Sequence, residues 1–339
     1  MKYRKKKLKL GGYPYTAARV KARRALLLTK EDYMKMSKMG LNEIIRFLEE
    51  REYKNEIDNL SSHYKGMELI NIALNENLAN TINKLIDIST KESQLLVKNY
   101  SMKWVIANLK IVIRSRNSDL VKKSIIPVEP TTYEFCMELI KKDVNEFSRE
   151  ISKITKINEE SFKKMYENND IISMENEMDK AYLNSLVTLR NSLDRGVLKN
   201  FYTFLVELID IRNIIKLKSI DMPKETIETF VTTKSKLAKQ LIDENLENGI
   251  KTLKESKYGS FTEGIAEDLS DLSQLENNIE KYLMQYSFKL LHLKPLSVAP
   301  IFGYLLAKEI EVRNLKLIVN AKAMQLSDEF VEKHLITGD

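Results

Sequence analysis

An all-α fold is predicted by three observations. With 10 Gly and 6 Pro in 339 residues, the chain has little of the turn chemistry that many short strands would need. Apolar residues recur at helical spacing, as at Ile44, Phe47 and Leu48 or Val312, Leu315, Ile318 and Val319, and no period-two alternation is sustained. An apolar motif built on an asparagine occurs three times: WVIANLKIVIRSR at 104–116, LIDIRNIIKLK at 208–218 and EIEVRNLKLIVNAK at 309–322.

The motif asparagines Asn108, Asn213 and Asn314 stand 105 and 101 residues apart, which predicts three copies of one unit of domain size. Two further matches keep this register. LNEIIRFLEEREY at 41–53 aligns with LENGIKTLKESKY at 246–258, pairing Leu41 with Leu246, Ile45 with Ile250, Leu48 with Leu253 and Tyr53 with Tyr258. MENEMDKAY at 174–182 aligns with LENNIEKYL at 275–283, again 101 residues on. Pro127 and Pro130 follow the first motif and Pro223 the second, so the predicted units are 13–127, 128–223 and 224–339, after a basic extension at 1–12.

Along the chain, helix starts are marked by a hydroxyl followed three residues later by an acid: Thr29 with Asp32, Ser89 with Glu92, and Thr131 with Glu134. The acids also suit the positive end of the helix dipole. Segments around 168–173 and 259–264 read as loops. The asparagine helix is the most apolar element of each unit. Its equivalent positions Ile106/Ile211/Val312, Leu109/Ile214/Leu315 and Val112/Leu217/Ile318 lie near one face, with further apolar residues such as Leu317 opposite, so it packs on two sides. An unpaired buried amide costs about 1–3 kcal/mol. Asn108, Asn213 and Asn314 are therefore expected to tie this helix to neighbouring backbone, with contact to a ligand or partner as the alternative.

Composition narrows the function. A hydrophobic fraction of 43% with 30% charged residues is that of a soluble globular protein. The longest apolar run, Val298–Ala307, is interrupted by Pro300 and Gly303 and is too short to span a bilayer. After the basic opening comes LGGYPYTAAR, which is no signal-peptide core, so a cytoplasmic location is expected. Basic residues from Lys2 to Arg24 precede the first acid, Glu31, which concentrates the net charge of +7 at one end. That end could attract anionic lipid headgroups or nucleic-acid phosphate, or remain a solvated tail. The single cysteine, Cys136, excludes an internal disulfide and reads as a small core residue.

Catalytic chemistry is missing from the sequence. Neither GxxxxGK[ST] nor GxGxxG occurs, nor does GxSxG, and His63, His292 and His334 belong to no HExxH motif. No acidic pair has a spacing that suggests a di-metal or acid/base site, so no catalytic, cofactor-binding or metal-binding residues are expected. The 15 tyrosines fall at helical spacing and read as core edges rather than stacking platforms for nucleic acid.

The string PIFGYLLAKEIEVRNLKLIVNAK at 300–322, with YPYTAARVKARRALLLTKEDY at 13–33, resembles the family of C subunits of V-type and archaeal A-type ATPases, whose eukaryotic members are the d subunits. The most specific parts are Tyr304, Glu309, Glu311, Arg313, Asn314 and Leu315, and amino-terminal Tyr13, Tyr15, Arg19, Val20 and Ala22. The middle third is less similar, and the extension KYRKKKLKL lies outside the family pattern. The resemblance implies three similar helical bundles around a pseudo-threefold axis, forming a funnel without catalytic activity. It implies a rotor adaptor on the cytoplasmic face of the membrane, joining the central shaft to the membrane rotor ring and linking ATP chemistry to proton or sodium movement. The basic amino terminus could add an anionic-lipid contact; no nucleic acid is expected. On this reading Asp210, Arg212, Glu311 and Arg313 are candidates for partner contact, with internal ion pairs as the alternative. A helical repeat scaffold that binds another protein or nucleic acid is the competing class.

With no phosphate cradle in the sequence, the purified chain is expected to show no nucleotide hydrolysis. Turnover that survives repurification and disappears with one point substitution would contradict this.

Overall fold

The computed structural model describes residues 14–115, 117–194, 196–233, 235–265, 273–292 and 297–337, and the basic extension at 1–12 and Tyr13 lie outside them. Among these residues there are eighteen α-helices, a 3-10 helix and no β-strand. Four short helices come first: α1 (Pro14–Arg24), α2 (Lys30–Met36), α3 (Leu41–Glu49) and α4 (Lys54–Leu60). A long pair follows, α5 (Gly66–Asp87) and α6 (Lys91–Arg114). The pattern recurs with α7 (Ser118–Ser124), α8 (Tyr133–Leu139), α9 (Val144–Thr155) and α10 (Glu159–Glu167), then the long α11 (Ile171–Ser192) and α12 (Val197–Lys218). It recurs again with α13 (Lys224–Thr229), α14 (Lys236–Asp243), α15 (Leu246–Lys254) and the 3-10 helix Gly259–Thr262, then α16 (Ser273–His292) and α17 (Ala299–Ala323). The short α18 (Asp328–His334) closes the series.

The cap signals hold unevenly. Thr29 and Asp32 form a reciprocal capping box at α2. Ser89 does not cap: its hydroxyl donates to Leu85 O at the end of α5, and α6 follows Thr90. Thr132, not Thr131, accepts from Phe135 N at the start of α8. The reason is local competition, because Thr131 is wholly buried and its hydroxyl is engaged elsewhere. The loop expected at 168–173 shrinks to a turn at Asn168–Asp170, and much of the one at 259–264 is the 3-10 helix.

Three apolar clusters form the interior. One joins the second half of α6, helices α7–α10 and the first half of α11, around Leu109, Phe147 and Met178. A second does the same with α12, the short helices after it and α16, around Ile214, Leu241 and Ile279. The largest joins α17 and α18 to α1–α5, so the end of the chain packs on its beginning, and it extends through the facing halves of the long helices. There α6, α12 and α17 each give one ring to a triangle. Tyr100, Phe201 and Phe302 have centroids 6.1, 5.9 and 5.3 Å apart. Such contacts add about 0.5–1.5 kcal/mol per pair beyond area burial. Gly303 permits a close approach of α17 to α16: a Cβ there would stand 2.8 Å from Leu291 Cγ and Ser287 O. Cys136 is buried, and burial pushes its thiol up to about 12.

The three motif asparagines lie on α6, α12 and α17 and make related bonds. Asn108 Nδ2 donates to Ile126 O and to Thr131 Oγ1 (2.8 Å), while its Oδ1 accepts from Ile126 N at 2.9 Å. Asn314 Nδ2 donates to Ile336 O (2.7 Å) and its Oδ1 accepts from Ile336 N (3.0 Å). In both, the side-chain amide pairs with one backbone residue about twenty positions downstream, like a rung of a sheet. Asn213 keeps only the donor half, to Phe230 O at 3.3 Å. One turn earlier on α12, Asp210 accepts from Thr232 N and Thr233 N at 3.0 and 2.7 Å, so the downstream segment is still held twice.

Asn314→Ala leaves the Ile336 peptide group buried without partners and is expected to lower unfolding free energy by about 1–3 kcal/mol in denaturant melts. Asn213→Ala, which breaks one longer bond at a half-buried position, should cost less. Equal or negligible losses at the two positions would contradict this account.

Candidate interaction site

Helix α17 carries Lys308, Glu309, Glu311 and Arg313 through an apolar environment, and the 3.6-residue period sorts them onto two sides. Lys308 and Glu311, three apart, face the amino-terminal helices. Both are at most 2% exposed. Lys308 Nζ donates to Glu311 Oε1 (2.7 Å) and Tyr53 OH (3.0 Å) and lies 3.6 Å from Glu52 Oε2. Tyr53 OH also donates to Glu311 Oε1, and Leu28 N donates to Glu311 Oε2 at 2.6 Å. The Lys308 ammonium sits 4.2 Å from the Tyr53 ring centroid. Burial, then the Glu311 charge, pushes the Tyr53 phenol well up, so it remains a donor.

Glu309 and Arg313, four apart, lie on the other side, among α6, α12 and α16. Lys103 of α6 pairs with Glu309, and Tyr100 OH donates to Glu309 Oε2 at 2.9 Å. The Lys103 ammonium rests 4.2 and 4.4 Å from the Tyr100 and Trp104 rings. Arg212 of α12 reaches Glu276 and Glu280 of α16 at 2.9 and 3.4 Å. Arg313 donates to Asn277 Oδ1, on the same helix, at 2.8 Å. Burial, and after it the Glu309 charge, raises the Glu280 carboxyl above the usual carboxylate range. Four long helices thus meet at one partly exposed, mixed-charge patch.

The structure therefore divides the four charged candidates. Arg212 and Arg313 come together on α16. Asp210, with no exposed surface, is occupied by the Thr232 and Thr233 backbone, and Glu311 belongs to the buried set with Lys308. Sequence reasoning missed Lys308, Lys103 and Glu309 as members of these sets. Lys308 had a signal: it is the first charge after the ten-residue apolar run that ends at Ala307. A lysine in that position, on a helix apolar all round, has to be paired.

A concave groove of about 1490 Å3 runs along α11. Ser173, Asn176, Lys180, Asn184, Thr188 and Ser192, spaced three or four apart, line it from α11. The α9–α10 junction from Thr155 to Ser161 and the α13 residues Thr226 and Thr229 line it as well, with Leu95 and Asn99 of α6. Its charged residues are few, and Lys180 pairs with Glu177 at 3.1 Å. Leu95 and Ile172, 48% and 75% exposed, add apolar surface. This lining offers mainly neutral hydrogen bonding and apolar contact. Among the described residues no group of three or more His, Cys, Asp or Glu is placed to hold a metal ion.

The family model described as ATP synthase (C/AC39) subunit matches residues 16–334. The chain is 30% identical to the A-type ATP synthase C subunit of Methanococcoides burtonii, with 98% of each chain covered. It is 31% identical to that of Methanosarcina barkeri, covering 98% of this chain and 95% of the relative. With the C subunit of Halobacterium salinarum it shares 27% identity over 96% and 97% of the two chains. The match runs through all three asparagine helices and both charged sets, and by it the chain belongs to the ATP synthase (C/AC39) subunit family.

Proposed function

We propose that this protein is the non-catalytic rotor adaptor of a rotary ATPase, joining the central shaft to the membrane rotor ring and carrying torque between ATP chemistry and proton or sodium transport. The observation that carries this reading is the end-to-end match to proteins named as the C subunits of A-type ATP synthases. On this proposal units 13–127, 128–223 and 224–339 stand around a pseudo-threefold axis and enclose a funnel. The triangle of Tyr100, Phe201 and Phe302 supports that arrangement, since three helices a hundred residues apart in sequence present one ring each to a common point.

No described helix is long and apolar enough to cross a membrane. We place the protein as a peripheral component on the cytoplasmic face, with the basic extension at 1–12 available to anionic headgroups. The shaft is received by the interior that the α11 groove and the patch around Arg212 and Arg313 define. Asp210 and Glu311 serve the walls rather than the contact, because their carboxylates are already spent on internal donors. A wall that transmits torque must not yield, and helices cross-linked by buried amides and ion pairs resist shear better than helices held by apolar contact alone.

Affinity capture of the tagged chain from native membranes, read by mass spectrometry, should recover head, shaft and ring proteins of one ATPase. Recovery of none of them would overturn the adaptor reading. Arg212→Glu with Arg313→Glu, in protein shown to be folded by circular dichroism, should weaken binding to the shaft about tenfold, by placing like charge on Glu276 and Glu280 and removing cations from the contact. A folded variant that binds and couples ATPase activity to ion movement normally would remove these two arginines from the working surface.

A further inference from the structure

Helix α1 is held against the body by one narrow side. Thr16, Ala17 and Val20 are buried, and the Thr16 hydroxyl donates to Ile88 O at 2.8 Å. On the opposite side Tyr15, Ala18 and Ala22, at three- and four-residue spacing, form an exposed line along the helix. Leu26 continues that line one turn further, its N–H held by Arg23 O at 3.0 Å. Tyr15 is 64% and Leu26 52% exposed. Arg19 and Lys21, also exposed, flank the line, one on each side.

Acids are missing here. The surface helix α10, by contrast, carries Glu159, Glu160, Lys163, Lys164 and Glu167 and so neutralises itself. Helix α1 has the cations Arg19, Lys21, Arg23 and Arg24 and no acid. Arg23 is drawn to Glu52 at 3.9 Å, and Arg24 lies 3.4 Å from His292 Nε2. Arg19 donates to the Tyr15 hydroxyl at 2.7 Å, its guanidinium 5.4 Å from that ring's centroid, and neither it nor Lys21 has a carboxylate partner among the described residues. The chain that leads into this helix adds Lys2, Arg4, Lys5, Lys6, Lys7 and Lys9, again with no acid.

We propose, resting on the peripheral placement given above, that the outward face of α1 and the basic extension together contact anionic bilayer lipid. An apolar line flanked by cations suits a helix lying in the membrane interface: the line enters the headgroup boundary, the tyrosine stays at that level, and the long cationic side chains reach the phosphates. Charge complementarity names the surface. A protein partner would have to set carboxylates at fixed places, whereas cations on both flanks of the helix and at irregular spacing along the extension are matched at once by a continuous anionic plane. Each part needs the other. The cations act only close to an anionic surface and are screened by salt, and two exposed apolar side chains bury too little area to hold the chain.

The test is co-sedimentation of the full chain with vesicles of phosphatidylcholine alone and of phosphatidylcholine with phosphatidylglycerol. Binding is expected to the anionic vesicles only and falls as salt is raised. Arg19→Gln with Lys21→Gln should weaken it about tenfold or more, and Tyr15→Ser with Leu26→Ser about tenfold. All four positions are exposed, so each pair should keep the melting temperature of the parent protein. Unchanged binding in either folded pair overturns the assignment of α1 and leaves the extension as a simple charge tether. No binding to anionic vesicles overturns it as well; if the same pairs then lose capture of ATPase proteins from native membranes, the face belongs to an acidic protein partner instead. The vesicles hold no protein, so the outcome is separable from the adaptor role. A chain that binds vesicles but captures no ATPase protein refutes that role alone, and one that captures them without binding vesicles refutes the lipid contact alone.

Discussion

Everything in this structure depends on the chain's two ends meeting at Glu311. One carboxylate, 2% exposed, is filled by donors from a backbone amide in front of α2, a phenol in front of α4 and an ammonium one turn away on its own helix. Leu28 and Tyr53 are 283 and 258 residues away in sequence. No local preference can bring such groups together, and the apolar cluster around them would accept several sliding registers of α17 on α1–α5. The charged set accepts one. Replacing such a set with apolar side chains can leave stability unchanged, whereas losing one member strands a charge at a cost of about 3–5 kcal/mol. Its main contribution is therefore to fix which surface of the last long helix lies against the first four short ones.

The asparagine clamps solve the same problem one level down. A helix of more than twenty residues that is apolar on two sides is free to rotate and slide in its groove, because dispersion and burial are nearly indifferent to small shifts. Asn108 and Asn314 remove that freedom by pairing both amide atoms with one peptide group downstream. At the middle helix the task is shared, with Asn213 giving a single bond and the Asp210 carboxylate taking two backbone amides a turn earlier. The three links differ in chemistry, yet each ties a long helix to the segment that follows it.

How much of this was legible depended on the range of the interaction. Helix content, the threefold recurrence of the asparagine motif and the Thr29–Asp32 box could be read directly, since each rests on spacing within a few turns. Thr131 misled by one residue because the neighbouring Thr132 was equally suited to cap and burial made the choice, Thr131 being taken by Asn108 across 23 residues. The Ser89 hydroxyl turns back to Leu85 O instead of capping. Among the charged candidates, nothing local separates Glu311 from Arg313, two positions apart, although one is sealed in the interior and the other borders a partly exposed patch. That separation follows from which helices pack on each side of α17. Lys308 is the partial exception, for an ammonium at the end of a long apolar run has to be paired even when its partner is unknown.

On the proposed adaptor role, the division between the two sides of α17 has a mechanical meaning. Charges that face inward are saturated by fixed donors within the fold, so a passing partner cannot recruit them without breaking the wall. Charges on the other side are held more loosely: Arg212 divides itself between two glutamates, and Glu309 takes both an ammonium and a phenol while remaining 30% exposed. Such groups can exchange partners at low cost because each keeps an alternative. The α11 groove goes further, with neutral Ser, Thr and Asn side chains whose hydrogen bonds can be remade to water or to a partner at nearly equal energy. A rigid shell with an exchangeable lining is what the proposed torque-bearing socket would require, and one helix, α17, would supply part of both through side chains only one residue apart in sequence.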